Sequence, residues 1–273
     1  MPPGEPEVVI RREACSAPDV DGEPHTARAL VEAGEVKVTV AGVARYCATG
    51  GTLIRVDPEP DARREDVLLY LTGALMGAIL HQRGAFPLHA GCVALDGAGV
   101  AFAGRSGAGK STLVAAMVRR GAVFVSDDIS VVFRTGDGSL AAWPGAARIK
   151  LHEANLCAVA VASLESAGGN LGKYHLPVDR SADSTAPAPL DRVYLLMDGD
   201  GPPRIERLTG LDAVTALVDE TYFLGWAAAL GLHSQVFRLA GDVARTLEVN
   251  RLVRPRGLEY FPAIVDLIER RLD

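Results

Sequence analysis

The alternation of apolar and polar residues divides the chain into a β-rich N-terminal part and a longer part that mixes strands and helices. Residues 35–40, EVKVTV, carry valine at every second position, and RYCA and TLIRV follow at short spacing. Such alternation predicts half-buried strands, and the short spacing predicts an antiparallel meander. We therefore expect a small β-rich unit over residues 1–60 and a larger domain over residues 61–273.

A continuous apolar run, VLLYLTGALMGAIL at 67–80, predicts a buried helix over about 61–82. Acidic residues precede the run and Gly84 follows it, as is usual at the two ends of a helix. The run of 14 residues is too short to span a bilayer. We expect no membrane segment and no membrane partner.

Two apolar strands, PLHAGCVAL and VAFAG, flank the turn DGAG and predict a β-hairpin. If Leu95 lies opposite Val100, then His89 lies opposite Ser106. AVFVSDD at 122–128 and ISVVF predict two further strands. The stretch at 179–191 is rich in Pro, Ser, Ala and Asp and predicts a loop.

The C-terminal third predicts one more strand pair, 192–199 with 204–208, followed by helices. Thr209 and Asp212 resemble a capping box ahead of a helix that runs to about residue 230. A second helix is expected over 241–249 and a last one over about 260–272.

The most specific motif is GRSGAGKST, which matches the phosphate-binding loop G-x-x-x-x-G-K-[ST] at every fixed position. Glycines let the backbone N–H groups curl around phosphate oxygens, and the helix that follows favours the same anion. Lys110 would bridge the β- and γ-phosphates, and the Ser111 hydroxyl would bind Mg²⁺. The residues expected to bind ATP are Gly104, Arg105, Ser106, Gly107, Ala108, Gly109, Lys110, Ser111 and Thr112.

Asp127 and Asp128 end the strand that follows the helix of this loop. Ligands of α/β sheets collect at the carboxyl ends of strands, so both acids are expected to face the γ-phosphate. One carboxylate would hold Mg²⁺ together with Ser111, while the other would accept the proton of the attacking hydroxyl. The alternative is that either Asp merely caps a turn.

Three basic side chains are weaker candidates. A histidine in an apolar strand is more often a core residue, but the expected hairpin register places His89 beside the phosphates and Asp127. Lys173 and Arg148 are candidate substrate-binding residues that would neutralise charge during phosphoryl transfer, and surface solvation is the alternative for each.

Charge and cysteine content narrow the partners and the compartment. The net charge of −6 is unfavourable for nucleic-acid binding, so no nucleic-acid partner is expected. The four cysteines show no C-x-x-C pair or metal-ligand spacing, and MPPGEPEVVI lacks the layout of a signal peptide. These features predict reduced thiols and a cytoplasmic protein.

The stretch LHAGCVALDGAGVAFAGRSGAGKSTLVAAMVRRGAVFVSDD resembles the catalytic domain of the HPr kinase/phosphorylase family. Both have a histidine-bearing strand, a hairpin, a phosphate loop, and two aspartates one helix and one strand later. The resemblance implies a nucleotide-binding α/β core like that of phosphoenolpyruvate carboxykinase and the phosphorylation of a serine hydroxyl. It implies Asp127 as general base with His89 as partner, Lys110 on the phosphates, and Ser111 with Asp128 at the metal.

The family's second signature, L-E-[IV]-R-G-x-G, is absent; the comparable stretch is PGAARIKLHEANL. The resemblance therefore gives no support for HPr as substrate or for reverse phosphorylase activity. The layout is more similar to HPr-kinase-related proteins found with ribosomal peptide clusters. Some of these resemble kinases that phosphorylate the C-terminal residue of lasso peptide precursors.

We therefore expect an α/β P-loop kinase with a β-rich N-terminal unit and C-terminal helices, ATP and Mg²⁺ as cofactors, and a peptide or protein with an acceptor serine as partner. A small-molecule hydroxyl kinase and a regulatory nucleotide-binding protein with slow hydrolysis are the alternatives. The oligomeric state is left open, with a homo-oligomer among the possibilities.

Overall fold

The computed structural model describes residues 8–153, 165–166, 172–178 and 186–272 as a mixed α/β structure. By their contacts these residues form two compact units. Among the described residues, the first unit contains 8–85 and 223–235, and the second contains the remainder. No helix in the described ranges is long and apolar enough to cross a membrane.

The first unit is built on a five-stranded sheet in the order β1-β5-β4-β3-β2. Its strands are β1 (Val9–Arg12), β2 (Ala27–Glu32), β3 (Glu35–Val40), β4 (Ala44–Thr49) and β5 (Leu53–Pro58). Strands β2 to β5 form an antiparallel meander, and β1 runs parallel to β5. The predicted meander is confirmed.

The predicted helix over 61–82 is present and packs on this sheet. It consists of α1 (Arg64–Tyr70), one π-helical segment (Leu71–Leu75) and α2 (Met76–Gln82). Leu71, Leu75 and Ile79 are buried in one core with the sheet valines. Because of this shared core, the helix belongs to the same compact unit as the N-terminal strands. The boundary predicted from the sequence, after residue 60, assigns the helix to the second domain instead. The domain boundary stays a prediction. Helix α5 (Leu224–Ala229) also belongs to the first unit.

The second unit contains the remaining strands and helices. Its strands are β6 (Phe86–Leu88), β7 (Ala90–Leu95), β8 (Ala98–Ala103), β9 (Val123–Ser126), β10 (Ser130–Arg134), β11 (Leu140–Ala142), β12 (Arg148–His152), β13 (Glu165–Ser166), β14 (Lys173–Pro177), β15 (Ala188–Pro189), β16 (Arg192–Asp198), β17 (Arg204–Leu208) and β18 (Glu248–Arg254). Its helices are α3 (Lys110–Arg119), α4 (Gly210–Asp219), α6 (His233–Thr246, from Val236 onward) and α7 (Phe261–Leu272). Of the predicted loop at 179–191, residues 179–185 lie outside the described residues.

The central sheet of this unit has the order β17-β18-β16-β8-β7-β9. Strands β8, β16 and β18 are parallel, and β7 is antiparallel to both β8 and β9. Strands β8, β9, β16 and β18 therefore end at the same edge of the sheet. Helices α3 and α7 pack their apolar residues against its strands in one core. Two smaller sheets, β15-β11-β10-β6 and β12-β14-β13, complete the unit.

The predicted hairpin forms, but its register differs from the expected one by two residues. Leu95 lies opposite Ala98, and Val100 lies opposite Val93. The reason is the turn, in which Asp96 and Gly97 both have positive φ, at 50° and 84°. A two-residue turn of this kind matches the twist of the strands, so the four-residue turn assumed from DGAG is wrong.

The predicted pairing of 192–199 with 204–208 is also wrong, because a strand missed in the sequence separates them. Strand β18 pairs in parallel with β16 and antiparallel with β17. Residues 248 and 249 belong to this strand and not to the expected helix, which ends at Thr246. Val249 and Leu252 are buried, which explains how a short segment with charged positions holds a central place in the sheet.

The expected long helix after Thr209 is interrupted at residues 220–223. Thr221 forms a β-bridge with Leu88, and Phe223 has a φ of 49° before α5 begins. Thr209 occupies the N-cap position of α4, but its side chain makes no capping hydrogen bond. The capping-box prediction therefore identified the start of the helix and not its hydrogen bonding.

Candidate active site

The segment Gly104–Gly109, here called the glycine loop, connects β8 to the start of α3. Gly104, Gly107 and Gly109 have φ values of 148°, 82° and 88°, a region that glycine enters without steric cost. Lys110 folds back over the loop, and its Nζ donates to the carbonyl oxygens of Gly104 at 2.6 Å and Arg105 at 3.2 Å. The ammonium group thus lies within the loop, close to where a phosphate would be held.

Asp127 follows β9 and lies directly beside the start of α3. The Ser111 hydroxyl donates to Asp127 Oδ1 at 2.9 Å, and the backbone N–H of Lys150 donates to Oδ2 at 2.8 Å. Ser111 therefore pairs with Asp127, whereas the family resemblance implies Ser111 with Asp128 at the metal. Both oxygens of the Asp127 carboxylate are engaged, one of them by the hydroxyl expected to bind the metal.

Asp128 has a different environment and a φ of 71°, in the left-handed region. Its Oδ2 lies 3.3 Å from Lys150 Nζ, and its Oδ1 lies 3.7 Å from His89 Nε2. Its side chain is one-third exposed. The Asp128 carboxylate is thus partly open to solvent near the glycine loop, and the Lys150 ammonium group partly neutralises its charge.

His89 lies between β6 and β7, where the chain leaves one sheet and enters another. Its ring is edge-on to the Tyr222 ring at a centroid distance of 5.7 Å, and its backbone N–H donates to the Glu220 carbonyl at 2.8 Å. The observed register ends with Ala90 opposite Ala103, so the expected position opposite Ser106 is wrong. His89 still lies beside the acids, but its carboxylate neighbour is Asp128.

A cavity of about 100 Å³ lies beside the glycine loop, Asp128 and His89. Its lining residues all belong to the second unit: His89, Ser106, Gly107, Gly109, Lys110, Ser111, Thr112, Asp128, Lys150, Leu151 and His152. Leu151 faces the apolar core. The cavity therefore places part of the glycine loop, one carboxylate, two lysines and two histidines around one volume.

The other two basic candidates are located on β12 and β14. Arg148 is half-buried on β12 and does not occur among the described residues that line the cavity. Lys173 opens β14 opposite His152, and its side chain lies outside the described part of the structure. Lys150, two residues after Arg148 on the same strand, contacts both acids, through its backbone N–H to Asp127 and its Nζ to Asp128.

Loss of hydration at this position raises the pKa of Asp127 to about 6, and the charge of Asp128 acts in the same direction. The hydrogen bonds from Lys150 N and Ser111 oppose the increase without cancelling it. The ionised form of Asp127 is therefore less stable in the folded protein than in water.

The raised pKa of Asp127 predicts that removing its charge changes the thermal stability of the protein. The folded-state pKa lies above the ordinary value, so the charged form destabilises the native state increasingly as pH rises through about 6. Asp127→Asn removes the charge, while its amide group can still accept from Lys150 N and donate to Ser111. Without ligand, we expect the variant to have a higher Tm than the wild type near pH 7.5, with the difference shrinking towards pH 4. A lower Tm at neutral pH would contradict this.

Two residues that the sequence analysis did not single out also shape the site. A Cβ at Gly91 would lie 2.5 Å from Val114 Cγ2 and 3.1 Å from Asp127 Oδ1, so β7 approaches α3 closely only because residue 91 is glycine. In the sequence, the available signal was a glycine inside a strand pattern.

Glu220 is the second of these residues. Burial raises its pKa above the usual value, and the Lys110 charge and a hydrogen bond from the Gly104 N–H oppose this increase without cancelling it. No local pattern connects residue 220 to the glycine loop.

Ser111 and Asp127 supply hard oxygen donors, which suits Mg²⁺. No group of three or more His, Cys, Asp and Glu side chains forms a ready-made metal site in the described part of the chain. Mg²⁺ usually binds through one or two carboxylates together with substrate phosphates and water. The donor set thus fits a cation that arrives with a nucleotide.

Comparison with known proteins finds similarity to solved structures at a distant level. No protein-family model and no curated protein match the chain. Among solved structures, HPr(Ser) kinase/phosphatase from Coxiella burnetii is similar at 14% identity and a TM-score of 0.37, covering 68% of this chain and 95% of that one. At this distance the similarity identifies neither a family nor an activity for this chain.

Proposed function

We propose that the protein is a Mg²⁺-dependent kinase that transfers the γ-phosphoryl group of ATP to a hydroxyl group, with a serine of a peptide or protein as the acceptor. The observation that carries the proposal is the 2.9 Å contact between Ser111 Oγ and Asp127 Oδ1. It joins a complete phosphate-loop motif to an acid that directly follows β9, as in P-loop enzymes that bind Mg²⁺ through a loop hydroxyl and a strand-end Asp.

The contacts favour a division of labour between the acids that reverses the one implied by the family resemblance. Asp127 shares the Ser111 hydroxyl and would hold the cation, which would neutralise charge on the transferred phosphoryl group. Asp128 lines the cavity and would accept the proton of the acceptor hydroxyl. The raised pKa of Asp127 would also suit a base, but the hydroxyl that would bind the metal contacts Asp127 directly, which favours the metal-binding role.

The neighbouring cations have roles that follow from their positions. Lys110 would shift from the Gly104 and Arg105 carbonyls to the phosphates. Lys150 would stabilise the ionised form of Asp128 before the reaction and lie near the charge that spreads over the phosphoryl oxygens. His89 would orient Asp128 and receive the proton from it afterwards.

The test is to incubate the protein with Mg²⁺, ATP labelled at the γ-phosphate, and separate acceptors. These are the peptides encoded beside its gene, including any lasso-type precursor, and a panel of small hydroxyl compounds. We expect label on a serine of one peptide and none with Lys110→Ala. Label on a small molecule would support the small-molecule kinase. Release of phosphate with no labelled acceptor would refute transfer and favour a regulatory nucleotide-binding protein.

A further inference from the structure

The glycine loop has different neighbours on its two sides: the acids after β9 on one side, and the ends of β16 and β18 on the other. On one side, Ser111 faces Asp127, so the reacting phosphate and the cation belong there. Thr112 follows about 100° further around the helix and lines the cavity together with grooves on the other side. A triphosphate held along the loop therefore leaves its nucleoside on the side where β16 and β18 end.

A buried arginine, Arg254, connects the glycine loop at Ala108 to the ends of β16 and β18. Arg254 is only 5% exposed, and its Nη2 donates to the Ala108 carbonyl. Its Nη1 lies 3.5 Å from Asp198 Oδ1 at the end of the neighbouring strand. Asp198 Oδ2 in turn accepts from Arg256 Nε at 2.8 Å. Arg256 itself is exposed, with 84% of its side-chain surface accessible.

Beside this cluster a groove of about 370 Å³ runs between α3 and α7. Its apolar lining residues are Ala116, Leu258, Phe261, Pro262 and Val265, and Thr112, Arg119 and Arg120 complete the lining. A smaller cavity of about 160 Å³ links it to Gly107–Gly109, Asp198, Arg254 and Arg256. Both volumes are lined by Thr112, Leu258 and Phe261, and a Cβ at Gly109 would lie 3.5 Å from Phe261 Cζ. The Phe261 ring thus lies directly beside the glycine loop, within reach of a nucleotide whose phosphates the loop would hold.

We propose that these joined volumes, here called the base groove and defined by Thr112, Asp198, Arg256, Leu258 and Phe261, bind the base and ribose of the nucleoside triphosphate. The inference rests on the proposed function, since it requires the phosphates in the glycine loop. Phe261 and Leu258 pack against the base, because every base offers an apolar face to an aromatic ring. Asp198 accepts from the ribose hydroxyls, and Arg256 donates to them or to the α-phosphate.

The test compares ATP with inorganic triphosphate, which has no base or ribose, by calorimetric titration in Mg²⁺. Phe261→Ala should weaken ATP binding by about 10- to 100-fold, the usual effect of losing one stacking contact. Triphosphate affinity should remain that of the wild type. Phe237→Ala, which removes an exposed aromatic ring from α6, is the matched control and should change neither affinity.

Phe261→Leu, which keeps apolar volume, covers the case in which the alanine variant fails to fold. It should lose ATP affinity in the same direction with triphosphate binding intact. Wild-type ATP affinity in a folded Phe261 variant would overturn the base groove, and so would equal losses for both ligands. Loss of acceptor binding with unchanged ATP affinity would also overturn it and assign the groove to the acceptor. Failure of the proposed function looks different, because Lys110→Ala would then leave the binding of both ligands unchanged.

Discussion

Lys110→Ala is expected to abolish measurable phosphoryl transfer and to weaken ATP binding while the protein stays folded. The Lys110 ammonium is already inside the glycine loop, bonded to the carbonyl oxygens of Gly104 and Arg105. Loss of one such charged donor at a transferring phosphoryl group costs about 10²- to 10³-fold in rate, and the loss of ground-state affinity adds to this. The measurement is transfer of label from ATP, beside a titration of nucleotide binding.

Lys37→Ala provides the control for this experiment. Lys37 lies in the first unit, where it forms ion pairs with Glu32 and Glu35. Removing it also deletes one positive charge, so it reproduces the change in net charge without touching the glycine loop. Transfer at the wild-type rate in Lys110→Ala would refute the assignment of the loop to the phosphates.

Asp128→Asn is expected to lower the rate of transfer by about 10²- to 10⁴-fold, the usual contribution of a general base, while ATP with Mg²⁺ still binds. Asparagine keeps the shape of the side chain and suits the left-handed backbone at this position. Asp127→Asn should behave differently, because it alters the partner of Ser111. Its defect should appear as weaker Mg²⁺-dependent nucleotide binding that raised Mg²⁺ partly restores.

The two variants are compared by rate and by nucleotide affinity across one Mg²⁺ series. If Asp127→Asn loses rate with intact binding and Asp128→Asn loses binding, the roles are exchanged and the assignment implied by the family resemblance is correct. Equal losses of both quantities in both variants would refute any division of labour. Adjacent carboxylates titrate as a pair, so the series is best repeated at two pH values.

The sequence predicted those parts of the site that depend on local chemistry. The glycine loop, α3 and the acids after β9 are consecutive along the chain, and each carries its own signal in turn residues or periodicity. The sequence also predicts His89 near this pair of acids, but beside Asp127, where the structure has Asp128, and from a register that is wrong by two residues. The error arose from Asp96 and Gly97, because the backbone angles of a turn decide how many residues it contains.

Features that depend on distant contacts were not predictable in this way. Strand β18 is identified as a strand by its neighbours β16 and β17, not by its own charged and apolar residues. Lys150 reaches the acids because β12 packs against α3, a relation that no spacing in the sequence encodes. The same holds for Arg254, which meets Ala108 across 146 positions of the chain.

The left-handed backbone of Asp128 has a consequence for how the proposed kinase activity would be lost over evolutionary time. Only glycine, asparagine and aspartate enter that conformation readily, and both alternatives are one nucleotide change away from an aspartate codon. Either change removes the carboxylate and keeps the turn. A gene copy released from selection would thus pass easily to a folded protein that still binds nucleotide but transfers the phosphoryl group far more slowly. Most other substitutions at this codon would strain the backbone.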